Sequence, residues 1–173
     1  MLLTSLTSTV FCLISWGYQG HPQLRSIFTL AVHTVTDRWC KNYERLSESA
    51  RSRLTVENDD KPALYSTKML YDNIVKRTGT PIVFDSHHFA CGPQDSSYEE
   101  AFRMAVDSWP DGVRPQCHHS NSRKRYEDPN AKVNQHSDWY YEKFNDCGFS
   151  VDVVLESKKK ERSLFKYLAD FGM

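Results

Sequence analysis

Four separate stretches of the chain each lead a short apolar run into a residue type that binds cations. Leu54-Thr-Val runs into Glu57, and Pro81-Ile-Val-Phe runs into Asp85, with His88 three residues on. Val113 to Cys117 leads into His118-His119, and Val151-Asp-Val-Val-Leu leads into Glu156. His136 follows in Gln135-His-Ser-Asp-Trp139, and five of the seven histidines fall between His87 and His136. Strands of parallel sheets are buried on both faces and should be apolar. A buried carboxylate without a partner costs several kcal/mol or takes up a proton instead. Four strand ends of this kind therefore point to one shared site, at the carboxyl edge where parallel α/β folds carry their active sites. Carboxylates with imidazoles, and no thiolate pair, suit Mn, Zn or Fe(II). Their number exceeds the needs of one catalytic zinc and fits a two- or three-ion site that cleaves phosphodiesters. Taken singly, each residue has an ordinary reading. Glu57 or Glu156 alone is a surface carboxylate, the histidine pairs are loop residues, and Cys117 is a small buried side chain.

The elements that must position these groups alternate. Thr36 is placed to cap a helix carrying Trp39, Tyr43 and Leu46 on one face. Arg53 to Glu57 reads as a strand, stopped by Asp59-Asp60-Lys61-Pro62. Ser66 to Lys76 reads as a helix with Met69, Leu70 and Ile74 inward and Gly79 just past its end. Pro81 to Asp85 is the next strand, and the Ser96-to-Glu100 stretch offers a capping box for a helix running to Trp109. Val113 to His118 is a third strand, Ser137 to Asn145 a helix begun near His136, Val151 to Glu156 a fourth strand, and Lys160 to Asp170 a last helix. The strand ends recur every 28 to 38 residues, long enough for parallel crossovers. The fold class expected is α/β with parallel strands, doubly wound or part of a barrel.

Composition narrows the function. Lys+Arg and Asp+Glu are 22 each among 173 residues, so no bulk positive charge exists for a polybasic nucleic-acid binder, although a local patch remains open. A mean hydropathy of -0.62 excludes a multispanning membrane protein. Five scattered cysteines form no CxxC pair, which argues against a disulfide framework or zinc finger and for a reducing, intracellular (nuclear or cytoplasmic) setting. No GxxxxGK[ST], GxGxxG or GxSxG occurs. Met1 to Gln19 has no charged side chain, and its apolar stretch Val10 to Trp16 is too short to span a bilayer. A targeting segment is a weak alternative there, since neither a positive leader nor a small-residue cleavage site stands out. Residues 1–33 are left as an unassigned segment.

Leu54-Thr-Val-Glu-Asn-Asp-Asp-Lys61, Pro81-Ile-Val-Phe-Asp-Ser-His-His88, Arg114-Pro-Gln-Cys-His-His-Ser120, Gln135-His-Ser-Asp138 and Asp152-Val-Val-Leu-Glu-Ser-Lys158 resemble, in order and spacing, the UV damage endonuclease family. The resemblance runs from about Thr34 to Phe171. It implies a (β/α)₈ TIM-type barrel related to endonuclease IV, here as roughly four βα units. Residues 34–173 would be the carboxyl-terminal half. It further implies nicking of damaged double-stranded DNA 5′ of UV photoproducts, with up to three divalent ions, typically manganese. On that resemblance Glu57 and Glu156 are bridging carboxylates, Asp85 and His88 hold one ion, and His118 and His136 supply imidazoles. Glu57, Glu156 and His118 would form the catalytic core, the ions polarising the phosphate, generating hydroxide and stabilising the leaving oxygen.

Two departures accompany it. The family's amino-terminal half, with two further metal-binding histidines and the residues that wedge into the duplex, has no counterpart here, and His21 and His33 have unmatched surroundings. Gln116 stands where bacterial relatives place a metal-bridging lysine. A half-barrel would expose strand edges and favour self-association or a partner chain supplying the rest. Arg123, Lys124 and Arg125 after the third strand, and Lys158 after the fourth, are placed for phosphate contacts or are a solvated basic surface. Two competing readings stand beside a nuclease: a non-catalytic DNA-binding remnant, and a sugar isomerase-like barrel with a two-metal site.

Overall fold

The computed structural model describes residues 32–61 and 64–172. Residues 1–31, where any targeting segment would fall, lie outside them. The elements are α1 (Val32–Glu44), α2 (Glu48–Arg51), β1 (Val56–Glu57), a helix α3, β2 (Ile82–Asp85), α4 (Ser86–Cys91), α5 (Tyr98–Asp107), β3 (Gln116–His119), α6 (Arg123–Tyr126), β4 (Asp152–Leu155) and α7 (Glu161–Phe171). Helix α3 starts as Thr67–Leu70, widens to a π turn at Tyr71–Val75 and closes as Lys76–Thr78.

The four strands form one sheet in the order β1-β2-β3-β4, every pair parallel. The expected α/β class with four parallel βα units is therefore the fold observed. Caps mark the helix starts much as the residues suggested. Ser66 Oγ accepts from the Met69 N–H at 3.0 Å, and Ser97 with Glu100 forms a reciprocal capping box on α5. Gly79 ends α3 in the left-handed region, at φ 70°.

Three expectations about local structure need correction. Thr36 does not cap α1 but lies inside it, buried, because the helix begins at Val32. Leu46 lies beyond the end of α1 and is exposed, while Trp39 and Tyr43 stack at 5.4 Å. Ser137 to Asn145 is not helical. Its amide donors are claimed by side chains of neighbouring segments rather than by carbonyls one turn back. Asp138 and Trp139 donate to Glu127 Oε1 (2.6 and 3.1 Å), Tyr141 and Glu142 to Asn121 Oδ1 (2.8 and 3.2 Å), and Phe144 to the Tyr167 hydroxyl (3.0 Å). With its N–H groups satisfied this way, the backbone has no need of a helix.

Alternation along the strands divides the sheet's two faces. Val56, Ile82, Phe84 and Cys117 point into the core with Leu70 and Ile74 of α3 and Ala101, Phe102 and Ala105 of α5. Phe84 meets Phe102 and Tyr98 edge-on, each at 5.2 Å between ring centres. Glu57, Val83, Asp85, His118 and Val154 then occupy the opposite face, since Glu57 pairs with Val83, Asp85 with His118, and His118 with Val154. Cys40, Cys91, Cys117 and Cys147 are all free thiols. Among the described residues no helix is long and apolar enough to cross a membrane.

Gly92, at the end of α4, lets two backbones meet. A Cβ there would lie 2.6 Å from the Asp59 carbonyl oxygen and 2.9 Å from that of His88. At Gly79 a Cβ would meet nothing within 4 Å, leaving only the strain of its positive φ. Gly92→Ala should therefore cost about 1–3 kcal/mol by overpacking, and Gly79→Ala about 1 kcal/mol by backbone strain. Thermal melts should rank Gly92→Ala as the less stable; the reverse order would refute the close approach.

Candidate metal centre

β1 ends at Glu57, β2 at Asp85, and Glu156 lies one residue past β4. His118 lies inside β3, and His88 one turn into α4. The strand-borne side chains share the sheet's non-core face and converge at its carboxyl edge, where His88 meets them from α4. One ligand atom each from Glu57, Asp85 and His88 lie within 4.8 Å of one another, and so do one each from Asp85, His118 and Glu156. Asp85 is common to both trios. His136 stands further out, its Nδ1 3.8 Å from Glu156 Oε2, and belongs to neither.

Asp85 is wholly buried and caps α4, its Oδ1 accepting from the N–H groups of His87 (2.7 Å) and His88 (2.8 Å). Its second oxygen, Oδ2, has no hydrogen-bond donor. Both carboxylate oxygens of Glu57, Oε1 of Glu156 and both ring nitrogens of His118 are likewise buried without a hydrogen bond. Such atoms are rare in folded proteins and each calls for an explanation. His118 Nδ1 faces Glu57 Oε1 at 3.4 Å and Glu156 Oε1 at 3.6 Å. His88 Nδ1 lies 3.2 Å from Glu57 Oε1.

The electrostatics are those of a charge cluster removed from water. Burial, helped by the carboxylates of Asp85 and Glu57 and opposed by His118 and His88, pushes the Glu156 carboxyl up to about 7. Burial also resists charging His88, but Asp85 and Glu57 outweigh it and hold the imidazole well above its usual range. The same contest, burial against Glu57 and Glu156, leaves His118 raised. Burial works to raise Asp85 too, but His88, the His88 N–H and His118 together bring it below the ordinary carboxylate value. His136 goes the other way: burial, with His87 and His88 nearby, lowers it to about 4 despite Asp85.

The two adjacent histidines of β3 differ in kind. His119 Nε2 donates to the Glu142 carbonyl (3.0 Å), so its Nδ1 accepts from the Ser86 hydroxyl (2.9 Å). Its ring stacks on Tyr140 at 5.7 Å. Every polar atom of His119 is satisfied, whereas both nitrogens of His118 are left for another partner.

The basic residues lie beside this edge. Arg123 pairs with Asp138 at 3.2 Å and Arg125 with Glu142 at 3.4 Å, while Lys124 and Lys158 are exposed. Asn58, bonded to Asp85, and Asn121, which holds the 141–142 backbone, are not among the expected site residues, and His87 is no loop histidine but a buried helical one, 5.1 Å from the His136 ring. Asn58 sits inside the Glu-Asn-Asp-Asp-Lys stretch, so its motif was visible though its role was not.

The sequence model of the UV-endonuclease UvdE family matches residues 30–172. The chain belongs to that family. It is 25% identical over 145 residues to a UV DNA damage endonuclease of Bacillus velezensis, covering 78% of this chain and 43% of that protein. Against the UV-damage endonuclease of Schizosaccharomyces pombe it is 30% identical over 136 residues, 75% of this chain and 22% of the relative. The crystal structure of SacUVDE superimposes with a TM-score of 0.65 at 26% identity, over 80% of this chain and 46% of that one. The chain thus spans less than half the length of these relatives, and its four parallel βα units are part of a TIM-type barrel.

The buried donor set fits the divalent cation that the family implies. Its unbonded atoms are carboxylate oxygens and imidazole nitrogens, which hard and borderline cations prefer, and no thiolate competes among them. Mn²⁺ added at one hundred times its Kd should raise stability by about 2.7 kcal/mol through linkage. Isothermal titration should find that His118→Ala and Glu156→Gln each weaken Mn²⁺ uptake at least tenfold. Unchanged stoichiometry and affinity in both variants would remove the site.

Proposed function

We propose that this chain provides the metal-binding, phosphodiester-cleaving part of a UV damage endonuclease, incising double-stranded DNA 5′ of UV photoproducts. The observation that carries the reading is the set of buried, unbonded carboxylate and imidazole atoms of Glu57, Asp85, His118 and Glu156, gathered on one edge of a parallel sheet in a UvdE-family chain. Divalent ions held there, most simply Mn²⁺, supply a Lewis acid for the phosphate and an activated water.

The chain's own residues do the rest. Glu57, Asp85 and His88 would hold an ion, as would Asp85, His118 and Glu156, with His136 Nδ1 3.8 Å from Glu156 Oε2. Asp85, common to both groups, would be a ligand whichever of them is filled. Arg123, Lys124, Arg125 and Lys158, on segments leaving the same edge, are placed to grip the phosphate backbone and hold the duplex in register. Residues 34–173 act as one barrel half. A second half, from another copy or a separate chain, would cover β4, whose Val153 is exposed, together with Phe165 of α7, which is 67% exposed.

Supercoiled plasmid, UV-irradiated or not, tests this with purified chain and Mn²⁺. Irradiation-dependent nicking that drops at least a hundredfold in Glu156→Gln is expected. Folded protein that binds irradiated DNA and never nicks it would select the DNA-binding remnant instead. Turnover of a keto sugar without nicking would select the isomerase.

A further inference from the structure

We infer that Asn58 is a positioning residue of the metal centre, its carboxamide replacing a missing backbone rung beside Asp85 and its carbonyl turning His88 so that Nε2 is the ligand nitrogen. This rests on reading the buried cluster as a divalent-cation site.

The ladder between β1 and β2 has only two rungs, Val56↔Ile82 and Glu57↔Val83. Beyond Glu57 the chain turns away, and the Asp59 N–H is taken by the Tyr65 carbonyl. That departure would leave the peptide groups of Asp85 open on the β1 side. Asn58, 2% exposed, fills the gap with its side chain. Its Oδ1 accepts from the Asp85 N–H at 2.9 Å, and its Nδ2 donates to the Asp85 carbonyl at 3.0 Å. A carboxamide is the group that offers one acceptor and one donor in that spacing. An aspartate has the shape but no donor, and would set a negative oxygen against the Asp85 carbonyl.

The backbone of the same residue acts on a second ligand. The Asn58 carbonyl oxygen lies 2.9 Å from His88 Nδ1. A carbonyl only accepts, so Nδ1 carries a proton, and in the neutral ring that a cation would bind the lone pair is on Nε2. That nitrogen lies 3.9 Å from Asp85 Oδ2, the oxygen of Asp85 that no donor uses. Glu57 Oε1 is the more distant neighbour of Nδ1, at 3.2 Å, so the carbonyl relieves Glu57 of serving as the imidazole's sole acceptor. One side chain and its own carbonyl thus set the height of Asp85, the tautomer of His88 and, through the chain, the position of Glu57. Groups that orient metal-bound histidines and carboxylates in this way typically change affinity 10–100-fold when removed.

Three full-length variants test it: Asn58→Asp, Asn58→Ala and, as a stability control away from the site, Phe102→Leu. Mn²⁺ affinity by calorimetry should fall 10–100-fold in both Asn58 variants and stay within twofold of the parent in Phe102→Leu, even where that control loses as much thermal stability. With ¹⁵N-histidine label and Zn²⁺, the parent should show His88 protonated at Nδ1 alone, the state that the Asn58 carbonyl imposes. A parent that binds Mn²⁺ normally beside undiminished Asn58 variants would overturn this inference alone. So would a control that loses affinity equally, or a His88 protonated at Nε2. A parent that takes up no Mn²⁺ would overturn the metal reading and this one together.

Discussion

A charge buried among strands has no water to lean on, and the rest of this structure is arranged around that constraint. Asp85 ends a strand in which every residue is buried. An isolated carboxylate there would be protonated or would break the sheet. It stays ionised because α4 begins on it, offering two N–H groups to one oxygen and placing His88 a turn away. The helix start, the strand end and the imidazole are one device. What the device leaves over is Oδ2, directed at a space shared with Glu57, His118 and Glu156. The imidazoles and carboxylates face one another at 3.2 to 3.8 Å, and the buried oxygens of Glu57 and the nitrogens of His118 make no hydrogen bond. Buried donor atoms left unbonded at that spacing are what a cation site requires of its ligands.

His118 and His119 show how finely the strand period sorts function from structure. They are neighbours in sequence and equally buried, yet they face opposite sides of β3. His119 enters the aromatic layer of Tyr140, Phe144 and Tyr167 and is tied at both nitrogens. Burial lowers its pKa, so it remains a neutral strut. His118 enters the carboxylate layer, where its pKa is raised instead. A one-residue slip of β3 would exchange the two and dismantle the site and the core together.

Much of this was legible beforehand because it rests on local rules. The strand-end residues, the Ser97 capping box and the glycine past α3 each follow from residue type and spacing, and the parallel order follows from crossover length. The bounds were less so. Apolar runs overshoot the paired residues, so β1 shrinks to Val56–Glu57, and β3 starts three residues later than expected, at Gln116, and ends one later, at His119. Asn58 could not be assigned its task, since a side chain that mimics a backbone rung leaves no periodic trace. His87 looked like a loop residue beside His88, but α4 continues through both and buries His87 against the His136 ring.

The failed helix over Ser137 to Asn145 is the more instructive miss, because irregularity there serves the site. His136 must reach the same edge as Glu156 from a segment lying between β3 and β4. An antiparallel bridge between Ser122 and His136 returns the chain to that edge, flanked by the Arg123 N–H to Gln135 and the Ser137 N–H to Asn121. Cys91 Sγ bonds the Val133 carbonyl and Asn134 Nδ2 reaches Asp60 Oδ2, so α4 and the loop after β1 hold this turn from the other side. The Lys158 N–H then joins Ser137 to the end of β4. A helix begun at Ser137 would spend the amide donors of Tyr141, Glu142 and Phe144, beyond its first turn, on itself. Asn121 Oδ1 would lose both of its amide partners, and the Tyr167 hydroxyl its own. Periodicity favours the helix locally; the Asn121 carboxamide and the Tyr167 hydroxyl compete for its amides, and the irregular segment keeps His136 at the site edge.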